Sequence, residues 1–264
     1  MFHSLSSRDW FSLIFAGIIT GLAYYSEFYG FFAWVSFIPL LHILTKFKPE
    51  SKPFFIGYTF GLSYNLVAFY WIALNSGTSF FIAICSLIAA VLYLSVFWGL
   101  LTTFIYQIKN YDFRLMIFPF AAVLMEWLRS LGPLGFPWSN LALTQINFLP
   151  IVQIMDITGS YGVSALVLII NTVLYHFMIN LNKSSFFLLF ISILILFHLW
   201  GLGIKKIDYY NKYFKTFEVV VIQPNIDPNS KWDSKNKEII KTKLDSLYEI
   251  ALNLKPDLIL FPET

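Results

Sequence analysis

The chain has 264 residues, 58% of them hydrophobic, 20% aromatic and 12% charged, with a formal net charge of +3. An ordinary soluble domain is about a quarter charged, so this deficit excludes that class and places the chain among membrane proteins. The small, dispersed positive balance gives no basis for nucleic-acid binding. A single cysteine, Cys85, excludes an internal disulfide or a cysteine metal cluster; no metal or other cofactor is expected.

Arg8 precedes an apolar run, Trp10–Tyr25, that resembles a signal peptide but lacks an A-x-A-like cleavage site, so it reads as an uncleaved first span. Further apolar segments follow at Phe31–Leu44, Phe54–Leu74, Phe80–Tyr106, Leu115–Leu128, Val163–Leu181 and Phe186–Ile204. A span needs about 20 apolar residues, which the third, fourth, sixth and seventh supply. The first two, separated only by Ser26 to Gly30, read as a tight helical hairpin. The fifth is short unless its helix runs on through Glu126 and Arg129. About seven spans result.

Lysine and arginine in short loops set orientation. Arg8, then Lys46, Lys48 and Lys52, then Lys109 and Arg114, then Lys183 all fall on one side if the segments alternate. That side is cytoplasmic, with the amino terminus. The tail after segment seven is then on the outer face.

Segments five and six are joined by EWLRSLGPLGFPWSNLALTQ, an outer-face connection by the same count. Its Gly132-Pro133 and Gly135-Phe136-Pro137-Trp138 favour turns over helix. Phe136 and Trp138 suit the membrane interface. Glu126 and Arg129 lie three apart on one helical face, placed either to neutralise each other or to serve a site, since charges at membrane depth are costly. Asn140, Gln145, Asn147 and Asp156 carry polar character toward segment six, which Gly159 and Gly162 start or loosen. His42, His176 and His198 have no ligand spacing and read as satisfied helix histidines. Lys205 to Lys215 reads as a linker leaving the membrane.

The last forty-eight residues differ in kind. Val219 to Gln223 is an apolar run without alternation, as in a strand buried on both faces. Ile240, Leu244, Leu247, Ala251 and Leu254 make a helical stripe, with Asp233 or Ser234 as its N-cap. After a turn at Lys255-Pro256-Asp257, Leu258 to Phe261 forms a second strand. A strand–helix–strand crossover makes the two strands parallel, so their carboxyl ends share the sheet edge where open α/β sheets bind ligands. Gln223, Asn225 and the loop carrying Trp232 leave one strand, and Pro262-Glu263 leaves the other. On local pattern Glu263 is more commonly a solvated carboxylate than a general base.

Taken together, EWLR (Glu126 to Arg129), GFPW (Gly135 to Trp138), QPNI (Gln223 to Ile226), KWD (Lys231 to Asp233) and PET (Pro262 to Thr264), in this order on this topology, resemble the apolipoprotein N-acyltransferase family. The resemblance implies an α-helical polytopic domain, residues 1–205, followed by the opening β-α-β of an α/β nitrilase-like domain, residues 206–264, outside the bacterial inner membrane, in the periplasm. It implies transfer of an acyl chain from a phospholipid to the amino-terminal S-diacylglyceryl cysteine of an apolipoprotein, the last step of bacterial lipoprotein maturation, through a thioester on a cysteine. Glu263 matches the glutamate of the family's Glu-Lys-Cys triad. Trp232 matches a tryptophan of the active site, and Gln223, Asn225, Trp138, Glu126 and Arg129 match its substrate-facing surroundings. The family's lysine and cysteine lie beyond the position of Glu263, and Cys85 falls in a membrane segment. The chain is therefore expected to be a part of the enzyme, inactive alone: a piece of a split or interrupted gene, a truncated chain, or a subunit completed by a second polypeptide. Two other readings remain: a non-catalytic membrane protein, transporter or lipid-binding scaffold, and a carbon–nitrogen hydrolase that releases an amide product.

Overall fold

A computed structural model describes residues 5–25, 28–46, 52–227, 231 and 233–262. The chain falls into two compact units, one of Met1–Tyr70 with Leu87–Ile207 and the other of Trp71–Ser86 with Asp208–Thr264.

The first unit is helical. Its elements are α1 (Ser7–Leu22), a 3-10 turn at Tyr29–Trp34, α2 (Ile38–Lys46), α3 (Pro53–Phe69), most of α4 (Phe80–Gln107), α5 (Tyr111–Arg129), the short α6 (Leu149–Val152), α7 (Met155–Ile179) and most of α8 (Lys183–Tyr213). Among the described residues, four helical stretches are long and apolar enough to cross a membrane: Tyr29–Lys46, α4, α7 and α8. This is a polytopic, largely helical membrane protein. The other apolar segments fall short for identifiable reasons. The helix α1 has 16 residues and α3 has 17, while α5 carries Asp112, Arg114, Glu126 and Arg129. Helix α5 does run through Glu126 and Arg129, as the fifth segment required. The stretch expected to be a linker from Lys205 instead continues α8 to Tyr213.

Capping sets where the first helix starts. The Ser6 hydroxyl accepts the Asp9 N–H at 3.3 Å, and the Asp9 carboxylate accepts the Ser6 N–H at 2.8 Å. One face of α1, with Leu13, Ala16, Gly17, Thr20 and Gly21 buried, meets α3. The spacing is helical and the residues are small, which lets backbones approach where lipid offers no hydrophobic drive. Behind this contact lies an aromatic core of Phe37, Phe60, Tyr64, Trp98 and Phe118, its ring centroids 5.0–6.4 Å apart. Between the Tyr29–Trp34 turn and α2, the chain leaves backbone groups unpaired by helix. Asn171 on α7 meets them, donating to the Ala33 carbonyl at 2.8 Å and accepting the Phe37 N–H at 3.0 Å.

Arg114, read from sequence as a loop charge, is 7% exposed. It donates to the carbonyls of Ile108 at 2.5 Å, Leu44 at 2.9 Å and Tyr106 at 3.2 Å, the orphan acceptors at two helix C-termini. Thr45 and the Tyr175 hydroxyl share a hydrogen at 2.5 Å. The carboxyl ends of α2, α4 and α7 and the amino end of α5 therefore lie at one end of the unit, with Lys46, Lys109 and Lys183 beside them. His42 and His176 face Tyr175 and Asn180, at 3.4 and 3.3 Å. At the opposite end, Lys206 on α8 pairs with Asp156, in the first turn of α7. Helix α7 is broken at Gly159, whose φ of 65° and ψ of −177° belong to a region only glycine occupies readily.

In the second unit, β1 (Val219–Val221) and β2 (Leu258–Leu260) flank α9 (Lys237–Asn253) and pair in parallel, Val219 opposite Leu258 and Val221 opposite Leu260. Asp257 closes the start of the ladder: its N–H donates to the Glu218 carbonyl and its carboxylate accepts the Glu218 N–H, both at 2.9 Å. Ile240, Leu244, Leu247 and Ala251 form the least exposed stripe of α9. Two expectations change. Val219 and Val221 are exposed rather than buried on both faces, because the sheet has two strands and its faces are open among the described residues. The N-cap of α9 is Asn236; Asp233 instead accepts the Lys235 N–H at 3.0 Å and caps the preceding 3-10 turn, Ser234–Asn236.

Candidate functional site

The end of the helical unit away from the lysines is built on the last turn of α5. Past Ser130 the chain turns through Gly132, at a φ of +76° that favours glycine, and the Phe136 N–H returns to the Arg129 carbonyl at 2.8 Å. Two 3-10 turns follow, Pro137–Ser139 and Leu141–Gln145, with Asn140 capping the second by accepting the Ala142 N–H at 3.0 Å. The GFPW stretch is thus an ordered loop of turns, and buried polar groups hold it.

Four groups converge on Ser139 and Leu141. The Ser139 carbonyl accepts from Arg129 Nη2 at 3.0 Å, Tyr24 at 3.2 Å and Tyr64 at 3.3 Å, and the two tyrosine hydroxyls meet at 2.5 Å. Glu126 Oε1 accepts the Leu141 N–H at 2.8 Å. On the α7 side, Ser164 donates to Asn140 Oδ1 at 2.8 Å and accepts the Ala142 N–H at 3.0 Å. Gln145 closes the loop, donating to the Gly30 carbonyl and accepting from Trp34 Nε1, both at 2.9 Å. Glu126 and Arg129 make no ion pair with each other; each reaches past the other to the loop backbone. Trp138, the residue before Ser139, stays 58% exposed, with its ring 5.3 Å from Phe136, which lies 5.0 Å from Phe69. The loop is held from beneath and presents an aromatic surface.

Tyr24, Tyr64 and Ser164 carried no motif. Their signal was generic: a tyrosine hydroxyl inside an apolar segment needs a partner, and an outer-face loop offers carbonyls. Removing the Tyr64 hydroxyl (Y64F) is expected to cost about 1 kcal/mol, as for a buried neutral hydrogen bond. Thermal unfolding in mild detergent reads this, with Tyr70→Phe as the exposed control.

In the second unit, Gln223 and Asn225 follow β1 and are exposed, while Ile222 and Pro224 between and before them are buried. The Ile222 N–H donates to the Leu260 carbonyl at 2.9 Å, extending the ladder to this point. Asn225 has a φ of +48°, a left-handed conformation that asparagine tolerates better than most residues, so the chain turns sharply off the strand there. Trp232 and Glu263 lie outside the described residues. The structure thus brings Glu126, Arg129 and the Trp138 loop together in one unit and Gln223 with Asn225 in the other.

Residues 16–173 match the family described as the apolipoprotein N-acyltransferase N-terminal domain. Among curated relatives, the apolipoprotein N-acyltransferase of Geobacter metallireducens is 29% identical over 277 residues, covering 100% of this chain and 52% of that protein. Those of Rickettsia prowazekii and Rickettsia typhi are 31% and 32% identical, covering 94% and 82% of this chain and 50% and 44% of theirs. The chain spans about half the length of the curated relatives it matches. With the family match extending from α1 to α7 and including the whole Glu126–Gln145 site, the chain belongs to the apolipoprotein N-acyltransferase family.

Proposed function

We propose that this chain supplies the membrane domain, residues 1–205, and the opening strand–helix–strand, residues 206–264, of a phospholipid-dependent apolipoprotein N-acyltransferase. The family match across the helices and the GFPW loop is the observation that carries this reading. The helical domain sits in the bacterial inner membrane with about seven spans, its lysine-rich end cytoplasmic by the positive-inside rule and residues 206–264 periplasmic. That both donor and acceptor are lipid-anchored is the physical reason for a catalytic domain tethered at the interface.

In this reading a cysteine thiolate attacks the ester carbonyl of a phospholipid; the C–S bond forms, the C–O bond breaks and the lysophospholipid alcohol leaves. The α-amine of the diacylglyceryl cysteine then attacks the thioester, forming the amide and returning the thiol. Glu263 is the base in both steps, and a lysine stabilises the oxyanion. The region corresponding to the second half of the relatives supplies the lysine and cysteine and further strands beside β1 and β2. Trp232, Gln223, Asn225 and Trp138 contact substrate, while Glu126 and Arg129 serve it from beneath the loop.

The test is labelling of membranes with radioactive phospholipid, with and without that second half. A hydroxylamine-labile label on the second half, chased onto a diacylglyceryl peptide and unaffected by Cys85→Ser, is the expected result. Label on Cys85, or an amide product released without transfer to the peptide, overturns it.

A further inference from the structure

Two polar atoms near the end of α5 have no hydrogen-bond partner although their residues are nine-tenths or more buried: Glu126 Oε2 and Arg129 Nε, on side chains of residues 9% and 3% exposed. The remaining reach of both residues is committed to the loop, Glu126 Oε1 to the Leu141 N–H and Arg129 Nη2 to the Ser139 carbonyl. Both residues line one cavity of about 10 Å³, walled otherwise by Phe97, Trp98 and Leu101 of α4 and by Ala122 and Met125 of α5. A cavity of this size holds about one water and nothing larger. An unpaired carboxylate oxygen and an unpaired guanidinium N–H against an apolar wall are costly, and one is an acceptor while the other is a donor.

We propose that a single water molecule is bound there, accepting the Arg129 Nε–H and donating to Glu126 Oε2, and that the Glu126–water–Arg129 unit is a clamp that positions the Ser139–Leu141 backbone and, through it, Trp138. The bridge explains why two opposite charges on one helical face do not close on each other. Direct pairing would draw each side chain off the loop, whereas a bridging water couples the charges and leaves both extended. Glu126 and Arg129 are then positioning residues, and the clamp stands whatever reaction the protein supports.

Hydrogen–deuterium exchange of the protein in lipid nanodiscs reads the clamp at the Leu141 amide. Glu126→Leu removes its acceptor, and exchange across residues 139–142 is expected to rise about tenfold or more. Glu126→Gln keeps an acceptor and is expected to raise it far less, with the amides of α3 and α7 unchanged in both. The water is tested by an isosteric pair at the cavity wall. In Ala122→Thr the hydroxyl takes over the water's hydrogen bonds, whereas Ala122→Val fills the same space without them. Faster exchange at Leu141 in the valine variant than in the threonine variant, by about tenfold, is expected. Equal exchange in the two overturns the water, and unaltered exchange in Glu126→Leu overturns the clamp. No acyl-transfer measurement enters, so failure here and failure of the proposed reaction are separable.

Discussion

Replacing Glu263 by glutamine is expected to lower N-acyl transfer by about two to four orders of magnitude, the range associated with losing a general base. The assay is the mass of the amino-terminal lipopeptide made by membranes holding this chain together with the region that carries the proposed lysine and cysteine. Because β1 and β2 run parallel, with Val221 opposite Leu260, the segments after them leave the same edge. Gln223 and Asn225 occupy the first of these segments, and Phe261-Pro262, with Glu263 next in sequence, the second. Glutamine conserves shape and hydrogen-bonding reach while removing basicity, so insertion and folding are expected to be unchanged. In the proposed mechanism the thiol and the amine each give up a proton, so both half-reactions are expected to lose rate, with thioester labelling slowed as well as peptide acylation. A glutamine variant that labels at full speed would remove Glu263 from the chemistry.

How far the sequence carried the fold differs from element to element. Apolar runs located the helices, and Phe80–Tyr106 matches α4 to within a residue because it carries no charged residue from end to end. Val163–Leu181 missed the first eight residues of α7, because Asp156 and the glycine at the Gly159 break disguise a helix that starts at Met155. Parallel pairing of the two strands followed from the crossover connection alone. The loop was legible as a loop, but its partners were not. The i, i+3 spacing of Glu126 and Arg129 advertises mutual pairing, which ignores that a nearby loop backbone offers each a hydrogen bond. Nothing in sequence could join Tyr24 to Ser139, 115 positions apart, since a hydroxyl has no preference readable from its neighbours. Arg114 is buried yet sits at the lysine end, where helix-terminal carbonyls need a cation.

Close approach of α3 and α4 gives the largest stability effect, at Gly57. A Cβ built there lies 2.0 Å from the Trp98 carbonyl oxygen, 2.3 Å from Thr102 Oγ1 and 2.6 Å from the Trp98 carbonyl carbon. Two of these atoms are helix backbone, and the third is fixed by a 2.7 Å hydrogen bond to the Pro53 carbonyl. None can yield without separating the helices. Gly57→Ala is therefore expected to cost about 3 kcal/mol, at the upper end for overpacking. Gly61, one turn on, would bring its Cβ only to 3.0 Å of Ser95 Cα and of the Trp98 ring, so Gly61→Ala is expected to cost about 1 kcal/mol. Gly201, with nothing within 4 Å, is the control, and its alanine variant is expected to be neutral or stabilising by up to about 1 kcal/mol through helix propensity. Denaturant unfolding in mild detergent should return this order; a neutral Gly57→Ala would mean that the two backbones do not approach this closely. The consequence reaches the loop. Tyr64 lies two turns beyond Gly57 on α3 and holds the Ser139 carbonyl, so spreading α3 from α4 withdraws one of the donors that fix the Trp138 loop. Loop order and helix packing should then fail together in Gly57→Ala, whereas Tyr64→Phe should loosen the loop with the helices still packed.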